Sequence, residues 1–218
     1  MVCPQCEAIE AGIDQKSVQK ELRNYRKNGP TKTTRLLINH IKSEGIEGLS
    51  LLDIGGGVGV IQLELLKSGM ASAINVETSS AYLEAAQEEA EHHGLTDRTS
   101  FHHGDYVDLA SNIPIADVVT LDRVICCYPY LEPLVENSIT HARNLYGLVY
   151  PRDVWWTKGY TAIYNFFQWV KRKKFRLFVH PKEGVHAVVH AHNFKRCFYR
   201  KSGFWLIEIF KRIEMNDS

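Results

Sequence analysis

The chain has 218 residues and 44% hydrophobic content, enough for one well-buried α/β domain, and no apolar stretch approaches the roughly 20 residues of a membrane-spanning helix. Its 26 Lys and Arg residues nearly balance its 25 Asp and Glu residues, so no global positive field is present to gather nucleic acid. Because no secretory signal is visible and five cysteines make a poor disulfide framework, we expect a cytoplasmic protein whose partner is a small molecule.

Residues 1–45 are predicted to be a helical cover. Apolar residues recur at helical spacing over residues 6–28, and the same pattern predicts a second helix over residues 31–44. Asn28-Gly-Pro30 separates the two, because Gly interrupts a helix and Pro suits the start of the next one.

Short apolar strands then alternate with amphipathic helices. Strands are predicted at 51–54, 73–76, 99–103, 117–121 and 145–149, and helices at 60–68, 80–93, 131–143, 155–169 and 181–193. Two closing strands, at 195–200 and 204–210, are close enough along the chain to pair antiparallel. The predicted fold class is α/β: a doubly wound, mostly parallel seven-stranded sheet with helices on both faces and an antiparallel C-terminal strand pair, in one domain of residues 1–218.

A glycine-rich turn follows the first predicted strand, in Leu51-Leu-Asp-Ile-Gly-Gly-Gly-Val-Gly59. Glycines let a backbone turn tightly and approach a ligand that any Cβ would exclude. A dinucleotide-binding loop needs a glycine at its sixth position, where this chain has Val60. Asp53 precedes the glycines, and a carboxylate there disfavours a pyrophosphate and suits a ligand with a cationic amino group.

Three more acidic residues stand at the ends of successive predicted strands. Glu77 ends the second strand, where a carboxylate can accept hydrogen bonds from both ribose hydroxyls. Asp105 follows the third strand and is placed to accept from an adenine amino group, with Tyr106 as a flat neighbour. Asp122 ends the fourth strand. Each acid alone is equally well a solvated carboxylate, but four acids at the carboxyl edge of one sheet indicate a ligand site.

These motifs resemble the ordered motifs of class I S-adenosylmethionine-dependent methyltransferases. The resemblance covers roughly residues 50–150 and the two-strand ending, and it implies S-adenosylmethionine as the cofactor. By this resemblance the first acid and the loop hold the methionine end, the second acid the ribose and the third the adenine. The implied cofactor-binding residues are Asp53, Gly55, Gly56, Gly57, Glu77, Thr78, Asp105, Tyr106, Asp122 and Arg123.

The loop after the fourth strand would lie under the transferable methyl group, again by resemblance. Asp122 and Tyr128 are the candidate catalytic residues, although a buried structural role is the commoner one for a tyrosine such as Tyr128. Arg123 is placed to pair either with a substrate carboxylate or with a neighbouring acid. The loop lacks the Asn-Pro-Pro-Tyr type of sequence found in many enzymes that methylate amide or base nitrogens, which argues against a nucleic-acid acceptor.

Residues 151–180 form an insertion that is unusually rich in aromatic residues. It is either a helix that covers the core or an apolar lid for a flat or hydrophobic acceptor. Candidate acceptor-binding residues are Tyr25, Arg152 and Trp155. The layout, with an aromatic segment before the last helix, is similar to that of magnesium-protoporphyrin methyltransferases.

No metal site is predicted. His186 and His190 have the i, i+4 spacing of some zinc sites, but that spacing is also frequent by chance. Cys3 and Cys6 form a single CxxC, and a zinc ion would need two further ligands.

The function predicted from these patterns is methyl transfer to a small aromatic or hydrophobic acceptor. The reaction would be an in-line displacement, with catalysis by proximity. A non-catalytic S-adenosylmethionine-binding module would keep the same motifs. A nicotinamide-dependent oxidoreductase would share the fold, but Val60 and Asp53 count against it.

Overall fold

A computed structural model describes residues 3–213, so the predicted domain of residues 1–218 extends past the described range at both ends. The strands are β1 Ser50–Ile54, β2 Ser72–Glu77, β3 Thr99–His103, β4 Ala116–Asp122, β5 Ala142–Pro151, β6 Phe194–Ser202 and β7 Trp205–Arg212. The helices are α1 Pro4–Gly12, α2 Gln15–Asn28, α3 Lys32–Ser43, α4 Val60–Leu66, α5 Ser80–His92, α6 Tyr106–Leu109, α7 Leu131–Thr140, α8 Trp155–Val170 and α9 Lys182–Ala191. No helix within this range is both long and apolar enough to cross a membrane.

The seven strands form one sheet in the order β3-β2-β1-β4-β5-β7-β6. Strands β1 to β5 pair in parallel, and β7 inserts antiparallel between β5 and β6. The chain therefore adds β2 and β3 on one side of β1 and then crosses over to add β4 and β5 on the other side. This switch leaves a crevice at the carboxyl ends of β1 and β4. This topology confirms the predicted α/β class with its mostly parallel sheet and antiparallel C-terminal pair.

A hydrophobic core lies on each face of the sheet. Leu52 and Ile54 belong to one core and Leu51 to the other, because successive residues of a strand point to opposite faces. Helices α7 and α9 contribute to the first core, and α2, α3 and α4 to the second. The prediction of helices on both faces is thus confirmed.

The predicted helix over residues 6–28 is wrong, because it is two helices. Helix α1 ends at Gly12, Ile13 is extended, and α2 begins at Gln15. The Asp14 carboxylate accepts a hydrogen bond from the Ser17 backbone N–H at 2.8 Å, which caps α2 and favours a new helix start over continuation. The break lets α1 turn toward the carboxyl edge of the sheet, where it covers the site described next.

Candidate active site

The glycine loop leaves β1 in a conformation that only glycine adopts without strain. Gly55 has a φ of 66°, and a Cβ at this position would lie 2.5 Å from Val124 Cγ2. Gly57 has a φ of 55°, and no atom lies within 4 Å of where its Cβ would be. The loop therefore packs tightly on one side and presents bare backbone to open space on the other, as a close-approaching ligand requires.

Asp53 is a buried carboxylate at the end of β1, and only one of its two oxygens is bonded. The Thr120 hydroxyl donates to Oδ1 at 2.7 Å. Oδ2 is buried and has no hydrogen-bond partner within residues 3–213. Burial raises the pKa of Asp53 to about 7, and the nearby Asp122 and Glu77 carboxylates add to this rise. A buried, half-bonded carboxylate is a site for a cation or a hydrogen-bond donor from a ligand.

Glu77 fastens the glycine loop to the end of β2. Its Oε2 accepts a hydrogen bond from Gly57 N, and its Oε1 accepts one from Ser79 N, each at 2.9 Å. Burial raises the pKa of the Glu77 carboxyl, and these two backbone donors act in the opposite direction. Glu77 thus holds the glycine loop in place, a role that its position in the sequence does not reveal. Each of its carboxylate oxygens retains a lone pair that a ligand hydroxyl can use.

Asp105 and Tyr128 are bonded to each other. Asp105 Oδ1 caps α6 by accepting from Val107 N at 3.0 Å, and its Oδ2 accepts from the Tyr128 hydroxyl at 2.9 Å. Burial and the neighbouring Asp105 carboxylate raise the pKa of Tyr128 above its usual range. Tyr128 is therefore a proton-bearing donor that orients Asp105, and a role in deprotonating an acceptor would require this bond to break.

Asp122 is held from two sides at the end of β4. The Thr34 hydroxyl donates to Oδ2 at 2.5 Å, and Arg123 Nε donates to Oδ1 at 3.1 Å. Of the two pairings left open for Arg123, the structure shows the one with a neighbouring acid. Arg123 has a positive φ of 65°, a conformation that is unusual for a non-glycine residue and that concentrates at functional sites. The Thr34 contact joins α3 to the site, and the sequence contains no local signal for it.

These groups line one cleft of about 860 Å³. All of the residues predicted to bind the cofactor lie on its wall, namely Asp53, Gly55, Gly56, Gly57, Glu77, Thr78, Asp105, Tyr106, Asp122 and Arg123. The Tyr106 hydroxyl points away from the cleft, because it donates to Asn137 O or His141 Nδ1 at about 3 Å, so only its ring faces the cavity. Tyr25 also lines the cleft, through a side chain whose hydroxyl donates to Glu64 Oε1 at 2.9 Å.

Arg152 and Trp155 are predicted to bind the acceptor, and the structure places both residues outside the cleft. Neither residue lines the cleft, and Trp155 is 84% exposed. Arg152 instead lies over the ring of Trp156, outside the cleft. The reason is that α8 approaches the cleft only in its second half, where Tyr164 and Gln168 form part of the wall.

The two histidines considered as metal ligands each contact a different group of the protein. His186 Nε2 lies 3.0 Å from Glu208 Oε2, and His190 Nδ1 lies 3.1 Å from Phe194 O. The potential ligand atoms of Cys3, Cys6 and Asp105 do lie within 4.8 Å of one another. This group offers only three ligands, burial raises the pKa of the Cys6 thiol, and the Asp105 oxygens already accept hydrogen bonds.

Comparisons with known proteins agree with this geometry. Residues 46–150 match a family model described as a methyltransferase domain. The fold superposes on magnesium protoporphyrin IX methyltransferase from Synechocystis PCC 6803 with bound SAH, at a TM-score of 0.69 and 18% identity. The superposition covers 90% of this chain and 87% of that protein chain. The chain therefore has the fold of the class I S-adenosylmethionine-dependent methyltransferases, and its residues 46–150 are similar to a methyltransferase domain.

Two further comparisons describe the range of proteins to which this chain is similar. An O-methyltransferase family protein from Burkholderia thailandensis superposes at a TM-score of 0.67, with 16% identity over 93% of this chain and 64% of the other. Ribosomal protein L11 methyltransferase from Erwinia tasmaniensis is 27% identical over 93 residues, which are 42% of this chain and 32% of that protein. The chain thus spans about a third of the length of the curated relatives it matches, and the structural likeness establishes the fold.

Proposed function

We propose that the chain transfers the methyl group of S-adenosylmethionine to a small aromatic or hydrophobic acceptor. The observation that carries this proposal is the buried carboxylate of Asp53, whose Oδ2 has no hydrogen-bond partner within residues 3–213 and which lines the cleft together with Gly57. S-adenosylmethionine carries an ammonium group, which matches an unsatisfied carboxylate better than a pyrophosphate does. The residues present therefore fit this cofactor.

Each remaining part of the cofactor has a group of matching chemistry on the cleft wall. Glu77 offers lone pairs to the ribose hydroxyls, and Asp105 offers acceptors to the adenine amino group. When bound, the cofactor supplies a methyl carbon that is activated by a sulfonium. The chain itself orients the two reactants and excludes water from them, with α1, the end of α2 and the second half of α8 closing over the cleft.

The acceptor is inferred to be apolar because several residues that line the cleft outside the glycine loop are apolar. These residues include Val124, Leu134, Tyr164 and Phe175. Asp122 is the carboxylate at the end of β4, and it is held in a fixed orientation by Thr34 and Arg123. We assign Asp122 the task of orienting the acceptor and accepting its proton where the acceptor loses one.

The proposal is tested by calorimetric titration of the protein with S-adenosylmethionine, S-adenosylhomocysteine and NAD. Binding of the first two with micromolar affinity and no binding of NAD is the expected result. Release of S-adenosylhomocysteine in the presence of aromatic and apolar acceptors then separates an enzyme from a non-catalytic cofactor-binding module. Binding of NAD alone, or of none of the three, would overturn the assignment.

Replacing Asp122 is expected to affect turnover more than cofactor affinity. In Asp122→Asn, the Thr34 and Arg123 side chains keep a neighbour of the same shape, but the proton acceptor is lost, so kcat should fall roughly 100-fold or more. The dissociation constant of S-adenosylhomocysteine should change less than about threefold. Asp97→Asn, in an exposed turn before β3, is the matched control. Equal losses of turnover and affinity would contradict the assignment.

A further inference from the structure

The outward face of α8 is apolar, although it is not covered by any part of the described chain. Successive residues of an α-helix are rotated by about 100°, which places the exposed apolar side chains of α8 within an arc of roughly 200° around the helix axis. Lys158, at the edge of this arc, is its only charged residue. The apolar members are each more than half exposed: Trp155, Tyr160, Ile163, Phe166, Phe167, Trp169 and Val170.

The inward face of α8 is polar. Thr157 and Thr161 are buried, and the Asn165 side chain makes two hydrogen bonds with the backbone of Leu177, at 2.8 and 2.9 Å. A helix on the surface of a globular protein has the opposite arrangement, with its apolar stripe toward the core. An exposed apolar surface of this kind indicates a partner that is itself apolar.

A basic run continues directly from the C-terminus of α8. Lys171, Arg172, Lys173 and Lys174 are all exposed, and none of their charged groups forms an ion pair within residues 3–213. Aromatic residues beside unpaired cations are the composition of helices that lie in the interface of a bilayer, where Trp and Tyr occupy the headgroup level and Lys and Arg meet anionic lipid.

We propose that α8 and the basic run of residues 171–174 bind the surface of an anionic lipid bilayer. Helix α8 has 16 residues, fewer than the roughly 20 that span the hydrocarbon layer, so it lies on the surface. The charge pattern favours lipid over a second copy of this chain. If two such faces met, they would bring together only cations, whereas anionic headgroups complement them.

The position of α8 gives this binding a consequence for the reaction. The opposite side of the same helix lines the cleft through Tyr164 and Gln168, and Arg172 and Lys173 lie at the cleft as well. A bilayer bound to α8 would therefore adjoin the cleft, and an apolar acceptor dissolved in lipid would reach it without crossing water. This consequence rests on the proposed function, but the lipid binding does not.

The test is co-sedimentation of the full chain, without cofactor, with vesicles of phosphatidylcholine mixed with phosphatidylglycerol. Phe166→Ser combined with Trp169→Ser should lower the partition coefficient at least about tenfold, because the variant loses two exposed aromatic side chains that would insert into the bilayer interface. Lys171→Gln combined with Lys174→Gln should lower it about fivefold per cation on the mixed vesicles and leave binding to pure phosphatidylcholine unchanged.

Ile115→Ser is the matched control, since Ile115 is 51% exposed but distant in sequence from α8. It should not change vesicle binding. Trp155→Ser, at a side chain that is 84% exposed, provides a second variant if the double substitution fails to fold. Vesicle binding that is absent, or that is indifferent to all of these α8 changes, would overturn the proposal. The same holds if α8 substitutions dissociate a dimer that does not bind vesicles, because the face would then contact a second copy.

Discussion

Asp53→Asn is expected to weaken the binding of S-adenosylmethionine at least about thirtyfold, corresponding to roughly 2 kcal/mol. Asparagine keeps an oxygen that can accept the Thr120 hydroxyl, so the substitution removes the charge while the buried hydrogen bond remains possible. The loss follows because the buried Oδ2 has no other partner to offset the desolvation of the carboxylate. Calorimetric titration of the two proteins measures the difference directly.

The pH dependence of binding provides a more specific test of the same residue. The pKa of Asp53 is raised to about 7, so the carboxyl is protonated in the free protein at lower pH. A cationic ligand prefers the ionised form, and its affinity should therefore rise by up to about tenfold per pH unit between about pH 5 and 7. The rise should level off above pH 7 and should be absent in Asp53→Asn. Parallel slopes in the two proteins would contradict the role of Asp53.

Protein stability should respond to the same ionisation with the opposite sign. In the unfolded chain Asp53 loses its proton near pH 4, whereas in the free folded protein it keeps the proton to about pH 7. Between these values the folded state binds more protons, so the free energy of unfolding contributed by this group falls as the pH rises. Asp53→Asn removes that decrease. Chemical denaturation of the free protein across this range measures it, with Asp97→Asn as a control that should keep the decrease.

The carboxyl edge of the sheet could be predicted from the sequence because its determinants are local. Each strand is a short apolar run, and Asp53, Glu77 and Asp122 lie at or near the ends of such runs. In a parallel sheet those ends meet at one edge, whatever the details of packing. The positions of these acids at one edge therefore followed from the strand pattern, whereas their predicted roles toward the cofactor came from the resemblance. The contact between Thr34 and Asp122 did not follow from that pattern, because it joins residues that are 88 positions apart.

The acceptor side could not be predicted, because the rule that normally orients a helix does not hold for α8. A helix rich in aromatic residues is expected to turn them inward, and both interpretations of residues 151–180, as a cover of the core or as a lid for the acceptor, agree with that rule. In the structure the polar side chains of α8 face inward, where Asn165 bonds to the backbone of Leu177. That backbone belongs to a segment without regular structure, and its hydrogen-bonding needs are invisible in a pattern of hydrophobicity.

Glu208→Ala is expected to lower the free energy of unfolding by about 3–5 kcal/mol, because it breaks a buried charged cluster. Glu208 is fully buried in the middle of β7. It accepts a hydrogen bond from the Tyr150 hydroxyl and one from Arg196 at 2.8 Å, and His186 Nε2 lies 3.0 Å from its Oε2. The carboxylate thus joins β5, β6, β7 and α9, at the end of the sheet from which the chain enters α8. Equilibrium denaturation in urea measures the loss.

A matched control distinguishes this cluster from ordinary ion pairs. Glu136 also pairs with a histidine, His192, at 3.1 Å, but its side chain is 49% exposed, so Glu136→Ala should cost less than about 1 kcal/mol. Combining Glu208→Ala with Tyr150→Phe should cost less than the sum of the single changes, because Phe removes the hydroxyl that Ala leaves unbonded. Strict additivity, or a cost for Glu208→Ala no greater than that for Glu136→Ala, would mean that the buried carboxylate does not organise this end of the sheet.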